Sequence, residues 1–390
     1  MRVLLAYSGG LDTSYLLRRF ATEGHEVHAV TVDTGGLDGA ERAAIAHRAQ
    51  EMGAAEYSLV DARERVYQQH IRWLIRANVR RGGVYPLCVG AERVVQAQVI
   101  AETAKQSRCD AVCHGSTGAG NDQIRFDVAI RTLLPGTHIL TPIRDERITR
   151  AQSAAFLAAQ GFPISAARRD YSVNSGLWGV TIGGRETHDS WQSIPEDAWP
   201  TTVTPSRAPI GGEEIVVSFD HGEPIGGLTR VEELNALGAR HGIGRNYHLG
   251  DTILGIKGRI AFEAPAAAIL IDAHRELEKL VLTRWQQVQK ETLGNFYGML
   301  LHEGQFFDPV MRDIEAFLES SQTVVCGDVR VQLEQGRVEV RGVRSPYSMM
   351  DERVGKYGEE NGLWSNADAR GFCAVYGLQG VLAARAREAK

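Results

Sequence analysis

The 390-residue sequence has few cysteines, no long apolar run and no excess of basic residues. Its apolar start ends at Tyr7 and is too short for a signal peptide or a membrane span. We therefore expect a cytoplasmic protein without a membrane partner. An odd number of scattered cysteines argues against a disulfide framework; they are Cys88, Cys109, Cys113, Cys326 and Cys373.

The charge balance and two missing motifs narrow the choice of ligand. Lys and Arg number 43 against 48 Asp and Glu, a net charge of -5, so no basic surface for nucleic acid is expected. No lysine follows the first glycines, which excludes a Walker loop. No Gly-x-Gly-x-x-Gly follows the first strand, which weighs against a dinucleotide enzyme. We expect small-molecule substrates.

In the first third of the chain, short apolar runs alternate with amphipathic segments. Strands are predicted at 3–7, 27–32, 56–60 and 110–113, and helices at 13–23, 40–52, 66–78 and 93–105. This alternation predicts an α/β fold with a doubly wound parallel sheet. Ligands of such sheets bind beyond the carboxyl ends of the strands.

The pattern changes after about residue 165. Glycine, proline, serine and threonine are frequent from Tyr171 to Gly212, as expected for a domain crossing. Hairpins are predicted from strands at 215–219 with 225–227 and at 324–333 with 337–343. Helices are predicted at 230–241, 265–291 and 372–389.

The string Ser8-Gly9-Gly10-Leu11-Asp12-Thr13-Ser14 lies between the first strand and the first helix. Glycines let the backbone approach phosphate, and the free N–H groups of a helix N-terminus favour an anion. Asp12 either holds a magnesium ion or caps the helix. The string is similar to the pyrophosphate loop of N-type ATP pyrophosphatases, which cleave ATP between the α- and β-phosphates. The alternative is a glycine turn before a capped helix.

A second glycine-rich loop, residues 114–120, follows a later strand and leads into Asn121, Asp122 and Arg125. These residues place a carboxamide, a carboxylate and a guanidinium on about one helical turn. Arginine binds carboxylates bidentately and aspartate can hold an ammonium group, so the set suits an amino-acid substrate. The alternative is a capped helix with a surface ion pair.

Residues 6–14 (AYSGGLDTS) and 117–126 (TGAGNDQIRF) together resemble argininosuccinate synthase. The likeness continues in order along nearly the whole chain. It includes Tyr85-x-Leu87 with Arg93, Tyr171-Ser172, Leu177-Trp178, Gly242-Ile243-Gly244-Arg245, Gly255-Ile256-Lys257 and the string from Arg344 to Ser348.

The resemblance implies a nucleotide-binding domain of the ATP pyrophosphatase type over residues 1–168. An α+β synthetase domain over 169–362 and a C-terminal helical tail over 363–390 are implied as well. It also implies a homotetramer that uses ATP and Mg²⁺ to join citrulline and aspartate, releasing AMP and pyrophosphate. The ureido oxygen is adenylated first, and the aspartate amine then displaces AMP.

The resemblance also assigns roles to particular residues. The ATP-binding set is Ala6, Tyr7, Ser8, Gly9, Gly10, Asp12, Thr13, Ser14 and Gly115. The aspartate-binding set is Thr117, Asn121 and Asp122. The acceptor-binding set is Tyr85, Asn121, Arg125, Ser172 and Thr181. Asp12, also a magnesium ligand, and Asp122, which positions the aspartate amine or acts as its base, are the catalytic candidates.

Several positions depart from the family pattern. Where the family has serine, this chain has Gly90 and Thr181. Where the family has glutamate, tyrosine and lysine, it has Gly250, Phe262 and Ala119. The missing glutamate matters most, because leaving a buried ammonium without its carboxylate costs ~2–5 kcal/mol. We therefore hypothesise an acceptor other than citrulline, a ureido or amide acid with an altered α-amino end. The alternative is that Asp251, one residue away, supplies the charge.

The sequence leaves three other interpretations. One is a genuine argininosuccinate synthase with a rearranged pocket, and another is a non-catalytic nucleotide-binding paralogue. A third, an RNA-thiolating or glutamine-dependent N-type pyrophosphatase, is disfavoured by the acidic balance, the scattered cysteines and the available length. His241 and His248 are interpreted as ordinary loop residues and are assigned no role.

Overall fold

A five-stranded parallel sheet forms the first part of the structure, a computed structural model that describes residues 1–163, 171–355, 358–359 and 362–388. The strand order is β3-β2-β1-β4-β5. Its strands are β1 Arg2–Ala6, β2 Glu26–Asp33, β3 Glu56–Asp61, β4 Ala111–Cys113 and β5 His138–Leu140. Central residues such as Val3, Leu4 and Leu5 are fully buried, because helices cover both faces of the sheet. The predicted doubly wound α/β fold is confirmed.

Helices connect these strands. They are α1 Leu11–Thr22, α2 Gly39–Glu51, α3 Arg63–Val66, α4 Arg72–Arg76, α5 Glu92–Gln106, α6 Asp122–Leu133, α7 Pro142–Asp145 and α8 Arg150–Ala159. The helix predicted at 66–78 is wrong as one α-helix, because a π-helical turn at Tyr67–Ile71 interrupts it. The carboxyl ends of β1 and β4 lie side by side, since these strands pair in the sheet. The two glycine-rich loops therefore begin next to each other.

Two antiparallel sheets follow. The first has the order β10-β11-β7-β6, with β6 Ser172–Gly176, β7 Gly179–Gly183, β10 Arg245–Asp251 and β11 Lys257–Glu263. The second has the order β13-β12-β8-β9, with β8 Glu213–Asp220, β9 Glu223–Pro224, β12 Gly327–Glu334 and β13 Arg337–Arg344. The hairpin predicted near residue 335 is confirmed. The strand predicted at 225–227 is wrong, since α9 begins at Gly227.

Four helices accompany these sheets: α9 Gly227–Arg240, α10 Pro265–Val281, α11 Arg284–His302 and α12 Pro309–Gln322. The single helix predicted at 265–291 is wrong. Leu282 has extended backbone angles, and Thr283 starts a new helix by forming a capping box with Gln286. Short 3₁₀ turns lie at Arg185–His188, Glu196–Ala198 and Pro205–Arg207.

The chain divides by its internal contacts into a unit Met1–Pro346 and a unit Tyr347–Lys390. The second unit contains α13 Asn366–Tyr376 and α14 Leu378–Glu388, so the terminal helix predicted at 372–389 is broken at Gly377. Residue 389 and the predicted domain boundary at 168 lie outside the described residues. The three-part division stays a prediction. No helix in the described residues has the length and apolar character needed to cross a membrane.

Candidate active site

The first glycine loop is held in place by contacts from α2. Gly9 has a φ of +71°, and a Cβ atom there would lie 2.8 Å from Cγ1 of Ile45. Arg48 donates a hydrogen bond to the carbonyl oxygen of Gly9. Glycine is therefore required both for its conformation and for its lack of a side chain. The loop backbone is fixed before any ligand arrives.

The hydroxyl groups predicted to bind ATP fall into two sets. Ser8 Oγ and Thr13 Oγ1 are 3.1 Å apart, and Ser8 also accepts a hydrogen bond from the backbone N–H of Gly10. Ser8 is exposed at the loop surface. Tyr7 and Ser14 are buried and bonded to each other at 3.2 Å, so they support the loop from within. Ala6 is the last residue of β1.

Asp12 lies in the first turn of α1 beside the second glycine loop. A Cβ atom on Gly115 would lie 3.2 Å from Thr13 and 3.8 Å from Cβ of Asp12, so the two loops touch. Burial raises the pKa of the Asp12 carboxyl, opposed by the charge of Arg150 and a 3.5 Å hydrogen bond from Ser153. That long contact leaves most of its oxygen lone pairs available.

The donor set around Asp12 fits a magnesium ion carried by ATP. Magnesium prefers oxygen ligands and is usually held by one or two carboxylates together with substrate phosphates and water. Among the described residues, the one group of three side chains placed to share a metal is Asp220, His221 and Cys326, which does not include Asp12. A magnesium ion at Asp12 would therefore depend on the phosphates for its other ligands.

Asp122 lies between two guanidinium groups. Its Oδ2 accepts a 3.0 Å hydrogen bond from Arg93, and its Oδ1 accepts one of 2.9 Å from Arg125. Burial acts to raise the pKa of this carboxyl, but the charges of Arg93 and Arg125 outweigh it and lower the pKa to about 2. Arg93 also donates to Asn174 of β6, which links α5 and α6 to the antiparallel sheet.

The remaining residues of the predicted aspartate site lie in and after the second loop. Thr117 is exposed in the loop, and its carbonyl accepts a 3.4 Å hydrogen bond from the N–H of Gly120. Asn121 precedes α6, and its Oδ1 accepts a hydrogen bond from the N–H of Ile253 at 3.0 Å. The loop after β10 thus contacts a residue of the predicted aspartate site.

Arg125 is buried and already engaged. Its Nε donates to the carbonyl oxygen of His302 at 2.9 Å, and its Nη2 lies 3.2 Å from Nδ1 of the same residue. A Cβ atom on Gly90 would lie 3.2 Å from Nη2 of Arg125. The absence of a side chain at Gly90 therefore makes room for the guanidinium.

The other residues of the predicted acceptor site belong to one face of the first antiparallel sheet or pack against it. Thr181 pairs in register with Asn174 on one side and Phe262 on the other. Ser172, two residues before Asn174, lies on the same face and is exposed. Tyr85 is buried, with its ring 5.2 Å from that of Phe262. Burial raises the pKa of Tyr85.

His248 was missed by sequence reasoning. It lies in strand β10, not in a loop, and its ring stacks on Tyr85 with centroids 5.3 Å apart. Its Nε2 lies 2.6 Å from where a Cβ atom would stand on Gly250. This nitrogen is buried and has no hydrogen-bond partner. The imidazole therefore occupies the space that a side chain at Gly250 would enter.

Asp251 does not replace the missing acid. Adjacent residues of a strand point to opposite faces of the sheet, so Asp251 points away from the face shared by Gly250 and His248. Its carboxylate forms an ion pair with Lys257 at 2.7 Å. The alternative in which Asp251 supplies the charge is not supported by this geometry.

Arg81 and His302 lie beside Arg125, and their place in the acceptor pocket (Arg81, Arg125, His248 and His302) was also not predicted. Nη1 of Arg81 is 2.9 Å from Nε2 of His302, and its Nη2 donates to the carbonyl oxygen of Asp251. Burial and the charges of Arg125 and Arg81 lower the pKa of His302 to about 3. A neutral histidine between two guanidinium groups gives this part of the pocket a surplus of hydrogen-bond donors.

Comparisons with known proteins agree along the chain. Residues 2–163 match the family model described as "Arginosuccinate synthase N-terminal HUP domain", and residues 171–383 match "Arginosuccinate synthase C-terminal domain". Among curated proteins, the argininosuccinate synthase of Xanthomonas axonopodis pv. citri (strain 306) is 36% identical over 98% of this chain and 94% of the relative. That of Pyrococcus furiosus is 34% identical over 98% and 94%. That of Staphylococcus aureus (strain MSSA476) is 33% identical over 97% and 95%.

Proposed function

Because the chain belongs to the argininosuccinate synthase family and is a carbon–nitrogen ligase that forms AMP and diphosphate, we propose that it joins L-aspartate to citrulline. The names of the relatives favour this acceptor over the altered acceptor hypothesised from the sequence. The observation that carries the proposal is the contact between the two glycine loops, with Asp122 held between two guanidinium groups just beyond them.

The first step transfers the adenylyl group. The ureido oxygen of the acceptor attacks the α-phosphorus of ATP, the bond to the β-phosphate oxygen breaks, and pyrophosphate leaves. We assign phosphate binding to the backbone of Gly9 and Gly10 and the hydroxyls of Ser8 and Thr13, and their position at the N-terminus of α1 supports this role. Magnesium bound with ATP, at Asp12, would neutralise charge on the departing pyrophosphate.

In the second step, the ammonium group of aspartate releases a proton to solvent, the resulting amine attacks the activated carbon, and AMP leaves as the C–O bond breaks. We assign Asp122 to holding the aspartate ammonium group. A carboxyl group with a pKa of about 2 is a weak base, so positioning is a better role for it than proton removal. We assign Asn121, the preceding residue, and Thr117, in the loop before it, to binding the aspartate carboxylates through neutral hydrogen-bonding groups.

Product analysis tests the proposal directly. Purified protein would be incubated with ATP, Mg²⁺, aspartate and citrulline, with pyrophosphate release measured and products identified by mass spectrometry. Argininosuccinate formed in equal amount with AMP and pyrophosphate is the expected result. Pyrophosphate release without an aspartyl adduct, or no reaction at all, would contradict the proposal.

A second candidate is an acceptor acid without an α-amino group. The observation that favours it is the donor-rich pocket of Arg81, Arg125 and His302, next to Gly250 and with Asp251 already paired to Lys257. These donors suit the acceptor's carboxylate, and none of the three residues offers a negative charge to an ammonium group. The same assay, run with desamino ureido acids beside citrulline, separates the two candidates by their kcat/KM values.

We also propose that the protein assembles as a homotetramer through its C-terminal helices. Taken by itself, the unit Tyr347–Lys390 leaves several apolar side chains of α13 and α14 exposed: Phe372, Val375, Tyr376, Leu378, Val381 and Leu382. Exposed apolar surface of this kind is typical of an oligomer interface. Light scattering of the full chain and of a chain ending at residue 346 would test this.

A further inference from the structure

We propose that His248 determines specificity for the amino end of the acceptor, with its Nε2 accepting a hydrogen bond from the acceptor's α-amino group. This inference rests on the proposed function and adds a residue for which the family resemblance gives no role. Nε2 of His248 is buried and unpartnered, although buried polar atoms nearly always have a hydrogen-bond partner.

The position of this nitrogen is fixed by packing. The ring of His248 stacks on Tyr85 with an angle of 18° between the planes, and Tyr85 in turn contacts Phe262 edge-on. The lack of a side chain at Gly250 leaves room for Nε2, which a Cβ atom there would meet at 2.6 Å. The family pattern has a glutamate at the position of Gly250. In this chain the imidazole of His248, two residues earlier on the same face of the strand, fills the space that such a side chain would enter.

The state of the ring suits a hydrogen-bond acceptor. Burial and the charge of Arg81 lower the pKa of His248 below its ordinary value, so the ring is neutral at pH 7. A neutral imidazole has one nitrogen without a proton, and that nitrogen accepts a hydrogen bond. The other polar groups of the pocket do the opposite: Arg81 and Arg125 are donors on both sides of His302.

These two parts of the pocket match the two charged ends of an amino acid. The donors of Arg81, Arg125 and His302 suit a carboxylate, and the unpaired nitrogen of His248 suits an ammonium group. A hydrogen bond to a charged group contributes about 10- to 150-fold in affinity, less than a buried ion pair with glutamate can give. We therefore expect the pocket to recognise the ammonium group, but more weakly than a carboxylate would.

The experiment compares citrulline with 5-ureidopentanoic acid, which is citrulline without its α-amino group. Wild-type protein should prefer citrulline at least about tenfold in kcat/KM, and His248→Leu should reduce that preference below about threefold. His248→Gln keeps an acceptor atom and should retain most of the preference. The effect should fall on KM for the acceptor and leave KM for ATP unchanged. His47→Leu, an exposed histidine of α2, is the matched control.

Two results would overturn the role of His248. One is a wild-type preference for the desamino acid or for neither acid. The other is a His248→Leu variant that unfolds at the wild-type temperature and keeps the wild-type preference, since the ring would then serve packing alone. Calorimetric titration of both acids gives the same ratio without turnover. Absence of an aspartyl adduct with either acid would contradict the proposed function, while the binding ratio would still decide the role of His248.

Discussion

The guanidinium of Arg93 donates a 3.0 Å hydrogen bond to the carboxylate of Asp122, joining helix α5 to the start of helix α6. Arg93 also reaches Asn174, so one side chain connects the parallel sheet's helices to the antiparallel sheet. Asp122 receives a second bond from Arg125. The carboxylate that we assign to the aspartate ammonium is therefore held in one orientation before substrate binds.

We expect Asp122→Asn to lower kcat/KM for aspartate at least about tenfold. Hydrogen bonds to charged groups contribute about 1.5–3 kcal/mol, and the Asp122 side chain is 39% exposed, so solvent brings the loss toward the lower figure. Two guanidinium groups would remain without their shared counter-charge. Initial rates of pyrophosphate release at varied aspartate measure the effect. Asp328→Asn, which removes a carboxylate bonded to Ser218 and Arg344, is the control and should keep the wild-type value. Equal rates for both variants would contradict the assignment.

The parts of the site that are local in sequence could be predicted, and the parts assembled from distant segments could not. The loop from Ser8 to Ser14 is contained in one strand–helix junction, so its composition alone indicates it. The acceptor pocket combines Arg81, His248 and His302, which are far apart in the chain. No short pattern contains them, and each resembles an ordinary surface or core residue when read alone.

The two-residue periodicity of a strand could have predicted the position of His248. Residues two apart in a strand lie on the same face of a sheet, so a strand through residues 245–251 places His248 beside Gly250. The same rule places Asp251 on the opposite face, which argues against it as a substitute acid. The difficulty was that glycine and aspartate within this segment indicate a loop, while its strand conformation comes from pairing with β11.

Gly9 should be intolerant of alanine in a way that Gly24 is not. Both residues have positive φ angles, +71° and +81°, so both substitutions carry the same kind of backbone strain. A Cβ atom on Gly9 would also lie 2.8 Å from Ile45, whereas that on Gly24 meets open space. We expect Gly9→Ala to raise KM for ATP at least about tenfold, and Gly24→Ala to leave it unchanged. Similar KM values for the two variants would show that the loop tolerates displacement.

Glu92 should make stability depend on pH. Burial raises the pKa of this fully buried carboxyl to about 8, so the folded chain keeps a proton that the unfolded chain releases near pH 4.5. Stability from this group is therefore present below pH 4.5 and is lost as pH rises to about 8. Wild-type protein should lose thermal stability relative to Glu92→Gln between pH 5 and pH 9. Glu102→Gln, on the exposed end of α5, should show no such trend.

Lys290 and Glu278 form a buried ion pair between helices α11 and α10. Their charged atoms are 2.9 Å apart, and the side chains of Asn78 and Gln322 also donate to the Glu278 carboxylate. Burial acts to raise the pKa of Glu278, but the charge of Lys290 together with hydrogen bonds from Lys290 and Gln322 lowers it, so Glu278 stays ionised. Removing the lysine would leave a buried negative charge with neutral donors alone.

We therefore expect Lys290→Met to lower the free energy of unfolding by ~3–5 kcal/mol, measured by urea titration. The matched control is Lys279→Met on helix α10. Its partner Glu276, on the same helix, is solvent-accessible. That exposed pair should contribute no more than ~1 kcal/mol. A loss of less than ~1 kcal/mol for Lys290→Met would mean that Asn78 and Gln322 satisfy the Glu278 carboxylate without a counter-charge. The same variant with Glu278→Gln added should recover much of the lost stability, because the unpaired charge is then gone.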